Sequence, residues 1–520
     1  MLLCNKVEEI FLLLYFKILN FIKFSSHNLI QLMKKFYYYI SLLIIVIISF
    51  RIYSSVFYPG LNSDNAVTIL MTHYFHLPDD LYFWGQDRMG SIIPLIAQIP
   101  NKLFHISAIY SEAITHYFIL VVGFLAIATF FKSYFAKLMF ALMWFLPPER
   151  EIDVTQLTLS IQYVFLFIGI YFISKLNREN YKINYKNHIF LLVAVFSMII
   201  AIWDSDLAMV SIGIFILLHF YFLILDNSIK SIFKLADLYY LVFGILVGSI
   251  FIIYAKSISA IRNDYSLISK PNEIIESLNI FFKTLSDIFL FKLNETFTSI
   301  YSYLALISII IICIFWKKVR FTGSLTKRMF LFFLVDLIIV FVIIIITKWT
   351  YLNGVPRRYF NCTYISATII ILLVFENLNL SKIKLYFVKY TLLITVLIGS
   401  FGTIYTLKYV LFPTFKPYSE YITELKKLGK AGIIAEYWNS YICSVIDPDK
   451  IKATPNDKSG VRNWSMVDAV FKQDKIYLIK DCWLTSFPDT IEQFGRTLVK
   501  QGTPFNLANA NLCRYKISSN

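Results

Sequence analysis

Eleven long apolar stretches punctuate this chain, and roughly 20 apolar residues is what a helix needs to cross a ~30 Å hydrocarbon core. They fall near residues 36–56, 107–131, 133–147, 155–174, 187–203, 206–225, 236–255, 297–316, 329–347, 359–375 and 386–411. Hydrophobic residues make up 58% of the sequence and aromatics 18%, and the mean hydropathy is +0.64. A soluble core of this length cannot absorb that much apolar surface. The sequence therefore predicts an all-α polytopic membrane protein with about eleven transmembrane helices.

Lys and Arg in short loops stay on the cytoplasmic side during insertion. Placing Lys34 and Lys35 there also puts Lys132 and Lys137, then Lys175, Arg178, Lys182 and Lys186, then Lys230 and Lys234 on that side. Lys317, Lys318, Arg320, Lys327 and Arg328 follow, and then Lys382 and Lys384. The expected topology is a multi-pass protein of the bacterial inner membrane, N-terminus cytoplasmic and C-terminus extracytoplasmic. These loops explain most of the formal charge of +16, so the charge requires no nucleic-acid partner.

Residues 1–35 read as a cytoplasmic or interfacial segment. Phe11–Phe16 and Phe21–Phe24 fit an interfacial helix, whereas Met33-Lys34-Lys35 before an apolar run fits an over-extended start. Residues 36–411 form the transmembrane domain, and residues 412–520 a small extracytoplasmic α/β domain. Within the latter, Gly432–Ala435, Ile476–Ile479 and Leu512–Ile517 read as strands. Arg462–Phe471 and Thr490–Lys500 have helical spacing, the second opened by Pro488-Asp489. Cys443, Cys482 and Cys513 allow either one disulfide with a thiol left over or three buried free thiols.

The connections 57–106, 147–154, 203–206, 256–296 and 348–358 all fall on the predicted outer side, and clustered polar residues concentrate there. The first contains Asn62-Ser63-Asp64-Asn65, Asp87-Arg88 and an apolar piece, Ile92–Ile99, too short to cross, which lies along the membrane surface or re-enters. The second contains Glu151 and Asp153, which in an extended segment point the same way and suit a hard cation or sugar hydroxyls. Asp204 and Asp206 repeat that spacing in a turn. The fourth connection has a helical look from Pro271 and reads as a lid or an amphipathic surface helix. The last carries Arg357-Arg358-Tyr359, whose guanidinium groups suit a phosphate. Each motif also has a plain reading: Asp64 as a helix N-cap, Asp204 and Asp206 as a turn and cap, 149–153 as a solvated loop, the arginines as headgroup anchors.

With an acidic residue soon after the first span, a carboxylate pair in the second outer loop, a late Trp…Arg-Tyr segment and a C-terminal outer domain, the chain resembles the GT-C membrane glycosyltransferases. It is most similar to the family-39-like bacterial enzymes, the protein O-mannosyltransferases and the aminoarabinose transferase of lipid A. The resemblance covers the architecture of about residues 60–410 and is sharp at Asn62–Asn65, Tyr82–Pro94 and Pro356–Tyr359. Asp64-Asn65 stands where the family usually has an Asp-Glu pair. The resemblance implies inverting transfer of a sugar from a polyprenyl-phosphate-linked donor to a glycan, lipid or protein acceptor. Asp64 would be the general base. Arg357 and Arg358, with Tyr359 beside them, would hold the leaving lipid phosphate, and Arg88 beside Asp87 is a second candidate for phosphate or for orienting the first loop. Glu151 and Asp153 would bind the sugar or a divalent cation, for which Asp204 and Asp206 are the other metal candidates. With no Gly-rich phosphate loop on the inner side, no nucleotide cofactor is expected. A transporter or flippase of lipid-linked sugars, an O-antigen polymerase or ligase, and a non-catalytic assembly partner are the competing readings. The transporter reading expects charges inside the spans, where only Asp336 and Arg51 stand out in the sequence.

Overall fold

The computed structural model of the chain describes residues 31–151, 153–156, 160–176, 185–226, 236–259, 267–293, 295–406 and 417–518. The segment before residue 31, the basic residues Arg178, Lys182, Lys230 and Lys234, and the start of the C-terminal domain at 412–416 lie outside the described residues. Helices α1 (Gln31–Tyr53), α2 (Ser63–Tyr74), α3 (Ile92–Gln98), α4 (Ala108–Ala128), α5 (Tyr134–Phe145) and α6 (Ile161–Ser174) come first. They are followed by α7 (Tyr185–Asp204), α8 (Ala208–Asp226), α9 (Ala236–Ser257), α10 (Pro271–Phe289), α11 (Thr296–Ile314), α12 (Ser324–Ile346), α13 (Asn361–Glu376) and α14 (Lys382–Thr406).

Every predicted span contains a helix among the described residues. Among the described residues nine are long and apolar enough to cross a membrane. The other two, α5 and α6, have only 12 and 14 residues, about 18 and 21 Å at 1.5 Å per residue. Both are packed inside the bundle, with Phe140, Trp144 and Phe145 of α5 and Ile161, Val164 and Phe167 of α6 buried. A helix enclosed by protein need not match the hydrocarbon thickness, because its ends meet other helices rather than lipid. The Ser133 backbone and hydroxyl bind the Glu376 carboxylate at one end of α5. At the other end Ser400 and Thr403 of α14 donate to the carbonyls of Leu146 and Pro147.

The connections sort to two ends of the bundle. At one, Lys132 bonds to Thr322 and Asn377, and Arg320 and Asn379 exchange backbone bonds with Asn377 and Lys318. At the other, residues 59–107, 147–153, 203–207, 267–295 and 347–360 meet through such contacts as Trp203 Nε1 to the Leu81 carbonyl (2.8 Å), Lys256 to Asp206 (2.7 Å) and Ser269 N–H to the Ile346 carbonyl (2.8 Å). The basic loops and the polar motifs thus occupy opposite ends. Ile92–Gln98 of the apolar piece form α3, packed against α2 and α4, and Ile99, Leu103 and Phe104 just beyond it are exposed. Helix α10 is the amphipathic helix anticipated from Pro271. It is tied to the late loop by a Lys348–Glu273 ion pair and a bond from Tyr351 to Glu276 (2.9 Å). Buried charge in the spans extends beyond the sequence expectation. Asp336 is fully buried and Arg51 half-buried, but Glu112 and His116 of α4 are buried as well.

Residues 417–518 form a domain seated on α2 and the start of α4. Its described residues contain strands β1 (Ala431–Ala435), β2 (Ile451–Pro455), β3 (Ile476–Lys480), β4 (Thr490–Gln493), β5 (Arg496–Leu507) and β6 (Ala510–Ile517), in the order β2-β1-β3-β6-β5-β4. β1 pairs parallel with β2 and β3, and the other pairings are antiparallel. β1 is buried on both faces, which explains its uninterrupted apolar sequence. The predicted helix at Arg462–Phe471 is α15 (Trp464–Phe471). The predicted helix at Thr490–Lys500 is instead the β4–β5 hairpin. Phe494 and Gly495 both take positive φ (52° and 74°), the geometry of a tight hairpin turn, and the β-branched residues around it suit paired strands. The spacing of Ile491, Phe494 and Leu498 had mimicked a helical period. Cys443, Cys482 and Cys513 are free thiols, and Cys482 is exposed rather than buried.

A Cβ on Gly432 in β1 would come within 2.6 Å of the Val470 carbonyl oxygen of α15. Gly432→Ala is expected to destabilise the domain by about 1–3 kcal/mol, read as a lower midpoint of thermal unfolding and faster proteolysis within residues 417–518 of the full chain in detergent.

Candidate active site

The N-terminus of α2 is closed by a capping box. Asn62 Oδ1 accepts from the backbone N–H of Asp64 (3.0 Å) and Asn65 (3.3 Å), and Asn65 Oδ1 accepts from the Asn62 N–H (3.3 Å). The cap is therefore Asn62 and not Asp64, and the Asp64 carboxylate is free to face away from the helix. Its Oδ1 accepts from the Tyr437 hydroxyl at 2.5 Å. Tyr437 follows β1 in the C-terminal domain, and its oxygen in turn accepts from Arg462 Nε at 3.2 Å. The Arg462 guanidinium also lies 4.8 Å from the Tyr437 ring centroid, and its backbone N–H donates to the Tyr441 hydroxyl (2.7 Å). Burial, with the Asp64 charge adding, raises the Tyr437 hydroxyl pKa, so it stays protonated and donates to the carboxylate.

The second acidic motif is helical and not extended. Glu149–Glu151 is a 3₁₀ turn and Asp153 opens a short helical turn, so the carboxylates are not aligned by strand alternation. Burial pushes the Glu151 carboxyl up to about 8, with the Asp153 charge adding and Arg357 opposing. Its Oε2 has no hydrogen-bond partner among the described residues. Burial also raises Asp153, with Arg358 opposing and Asp64 adding. The turn Arg357–Phe360 packs against Glu149–Glu151. Arg357 is held in a fork by Glu295, at 2.9 and 3.3 Å. Arg358 makes no ion pair among the described residues and lies 5.8 Å from the Tyr359 ring. Asp64, Glu151, Asp153, Arg357 and Arg358, taken from three connections, thus act on one another electrostatically.

Asp87, Arg88, Tyr359, Asp204 and Asp206 belong to a neighbouring region. Arg88 lies 5.1 Å from the Trp349 ring and donates to Gln86 (3.3 Å). With Tyr359, Asp204 and Asp206 it lines a cavity of about 390 Å³. Asp87 is buried, and its charge, like that of Asp206, acts on Tyr82. Asp204 is buried and accepts from the Gln162 backbone, whereas Asp206 is paired with Lys256. The two carboxylates therefore serve separate partners. Among the described residues no group of three or more His, Cys, Asp or Glu side chains is arranged to hold a metal. The charges of Arg357 and Arg358 act on Glu151 and Asp153 respectively.

A second cleft, about 570 Å³, opens between the first loop and the C-terminal domain, lined by Asp79, Tyr82, Trp84, Lys452, Arg462 and Trp464. Residues 79–90 separate the two hollows. Trp203 braces this loop, and Gly90 is obligatory there because a Cβ would meet the Trp203 ring at 2.8 Å. Sequence reading missed Tyr437, Arg462 and Glu295, and the only local hint was the aromatic cluster Tyr437-Trp438 directly after a strand.

The sequence matches no protein-family model and no curated protein. Among solved structures the chain is similar to ArnT from Cupriavidus metallidurans bound to undecaprenyl phosphate, with a TM-score of 0.54 and 9% identity over 92% of this chain and 97% of that one. The same protein in its apo state matches equally, with a TM-score of 0.54. An oligosaccharyltransferase from Archaeoglobus fulgidus tethered with an acceptor peptide aligns at a TM-score of 0.46 and 12% identity, over 86% of this chain and 69% of that one. The chain has the GT-C fold of ArnT, a multi-pass helical membrane domain with a small C-terminal sheet domain.

Glu151 binds its proton more tightly in the folded protein than at its ordinary value of 4.5. Between pH 4.5 and about 8 the native state therefore holds more protons than the unfolded chain, and stability falls as pH rises through that window. Thermal unfolding in detergent at pH 5, 6.5 and 8.5 is expected to show that decline, on the order of a few kcal/mol. Glu151→Gln should make the profile flatter and leave the variant the more stable of the two at pH 8.5.

Proposed function

We propose that this protein is a glycosyltransferase that moves a sugar from a polyprenyl-phosphate-linked donor to an acceptor hydroxyl, working at the extracytoplasmic face of the bacterial inner membrane. The observation that carries the reading is the gathering of a carboxylate held by Tyr437, Asp64, and an arginine free of ion pairs among the described residues, Arg358, around Asp153, on which both act, at the end of the bundle away from the basic loops. The similarity of the fold to ArnT bound to undecaprenyl phosphate supports the lipid-linked donor.

The chemistry follows from these groups. The acceptor oxygen attacks the anomeric carbon, its proton passes to Asp64, and the bond to the phosphate oxygen breaks with its electron pair leaving on the phosphate. Attack opposite the leaving group inverts the anomeric centre. Arg358 compensates the charge that develops on the leaving phosphate. Arg357, already held by Glu295, is a positioning residue that keeps the 357–360 turn in place. Glu151, protonated at neutral pH, donates a hydrogen bond to donor or phosphate oxygens. The cleft beside Arg462 admits the acceptor, whose arrival on the C-terminal-domain side fits its aromatic and charged lining. The positive-inside rule, which keeps basic loops cytoplasmic, supports this orientation.

The test is mass spectrometry of envelope glycans and polyprenyl-linked sugars from a strain lacking the gene, complemented with wild type, Asp64→Asn or Tyr437→Phe. Wild type is expected to restore a missing sugar. Asp64→Asn should lower transfer at least ~10²-fold with build-up of the lipid-linked donor, and Tyr437→Phe about tenfold. Full rescue by Asp64→Asn, with donor consumed, contradicts the mechanism. Donor retained on the cytoplasmic leaflet in the deletion strain, restored by Asp64→Asn, supports a transporter instead.

A further inference from the structure

We infer that the cavity holding Gln162 and Asn361 is the subsite for the sugar of the lipid-linked donor, and that this sugar is uncharged and rich in hydroxyls; the inference rests on the proposed transferase function. Asn361 opens α13 and is 1% exposed, and neither its Oδ1 nor its Nδ2 has a hydrogen-bond partner among the described residues. Gln162, near the start of α6, is 5% exposed. Its Nε2 donates to Cys362 Sγ (2.9 Å), while its Oε1 is unpartnered among the described residues. Both side chains line the same cavity of about 390 Å³. Buried amides left without partners are costly.

The chemistry of the lining selects among ligands. A carboxamide offers both a donor and an acceptor, as a sugar hydroxyl does, and Asp204 lines the same cavity. The ionisable side chains of the lining are already engaged, Asp206 by Lys256, Arg88 by Gln86 and the Trp349 ring, and Asp204 by the Gln162 backbone, so none is left for an amino sugar or a uronic acid. Ile343 and Ile344 of span α12 form an apolar wall on the membrane side, where an isoprenoid chain would run. Tyr359, on the polar side, directly follows Arg358, so a phosphate at that arginine leaves the attached sugar next to the two amides.

The experiment is native mass spectrometry of the full chain in detergent, with four classes of probe: undecaprenyl phosphate, and the same lipid carrying a neutral hexose (glucose, galactose or mannose), an amino-pentose or a uronic acid. Wild type is expected to retain at least one neutral hexosyl lipid more tightly than the bare lipid, the amino-sugar lipid and the uronosyl lipid. Asn361→Ser and Gln162→Met should each weaken that hexosyl lipid about tenfold and leave the bare lipid unchanged. Equal loss of both lipids in the variants, no loss of either, or stronger retention of a charged sugar overturns the inference while leaving the transferase reading standing. A wild-type protein that retains none of the lipids sinks that reading and the inference with it.

Discussion

The arrangement depends on one joint, the seat of the C-terminal domain on the first turn of α2. Ser63 donates to the Tyr437 carbonyl and accepts from the Tyr441 N–H (3.2 Å), while Tyr437 reaches Asp64 from the other side. Beneath these polar contacts Val67, Leu70 and Met71 of α2 share one apolar core with Ile433, Tyr441 and Ile442. Burial supplies the adhesion and the hydrogen bonds fix the register. The Asp64 carboxylate is thus oriented by a hydroxyl more than 370 residues away in sequence, and a shift of the domain would misdirect it.

That joint also organises the space around it. The loop at 79–90 is clamped between Trp203 and the C-terminal domain, where Asp80 accepts from Trp84 Nε1 (2.7 Å) and from the His76 N–H (2.7 Å). On one side of the loop lies the aromatic and charged cleft at Arg462, and on the other the cavity backed by apolar residues of α12. The two hollows differ in chemistry, and each touches the edge of the carboxylate cluster, the first through Arg462, which bonds to Tyr437, and the second through Tyr359, which follows Arg358. Burial raises the Glu151 and Asp153 carboxyls, and the guanidinium groups of Arg357 and Arg358 oppose it.

Much of this was legible in the sequence, for physical reasons. Apolar length alone located the nine long helices among the described residues, because lipid imposes a minimum span. It did not reveal that α5 and α6 are short, since that depends on their being enclosed by neighbours. The shared end of the polar motifs followed from the alternation of basic loops, and Asp64, Glu151, Asp153, Arg357 and Arg358 do converge there. Asp87, Arg88, Asp204 and Asp206 do not join that cluster. The β4–β5 hairpin was hidden by an accidental helical period, and the strand β2 by its neighbouring Lys and Pro residues. Tyr437 and Arg462 act through a contact between distant segments, which no local pattern encodes.

The most direct test of the account is to supply the purified protein, reconstituted in proteoliposomes, with sugar-charged undecaprenyl phosphate and a total envelope acceptor extract, and to follow the lipid by mass spectrometry. The account predicts release of free undecaprenyl phosphate in step with sugar appearing on the acceptor, abolished by Asp64→Asn in a protein that still binds the lipid. Sugar-charged lipid that crosses the bilayer intact, or release undiminished in the Asp64→Asn variant, would contradict it.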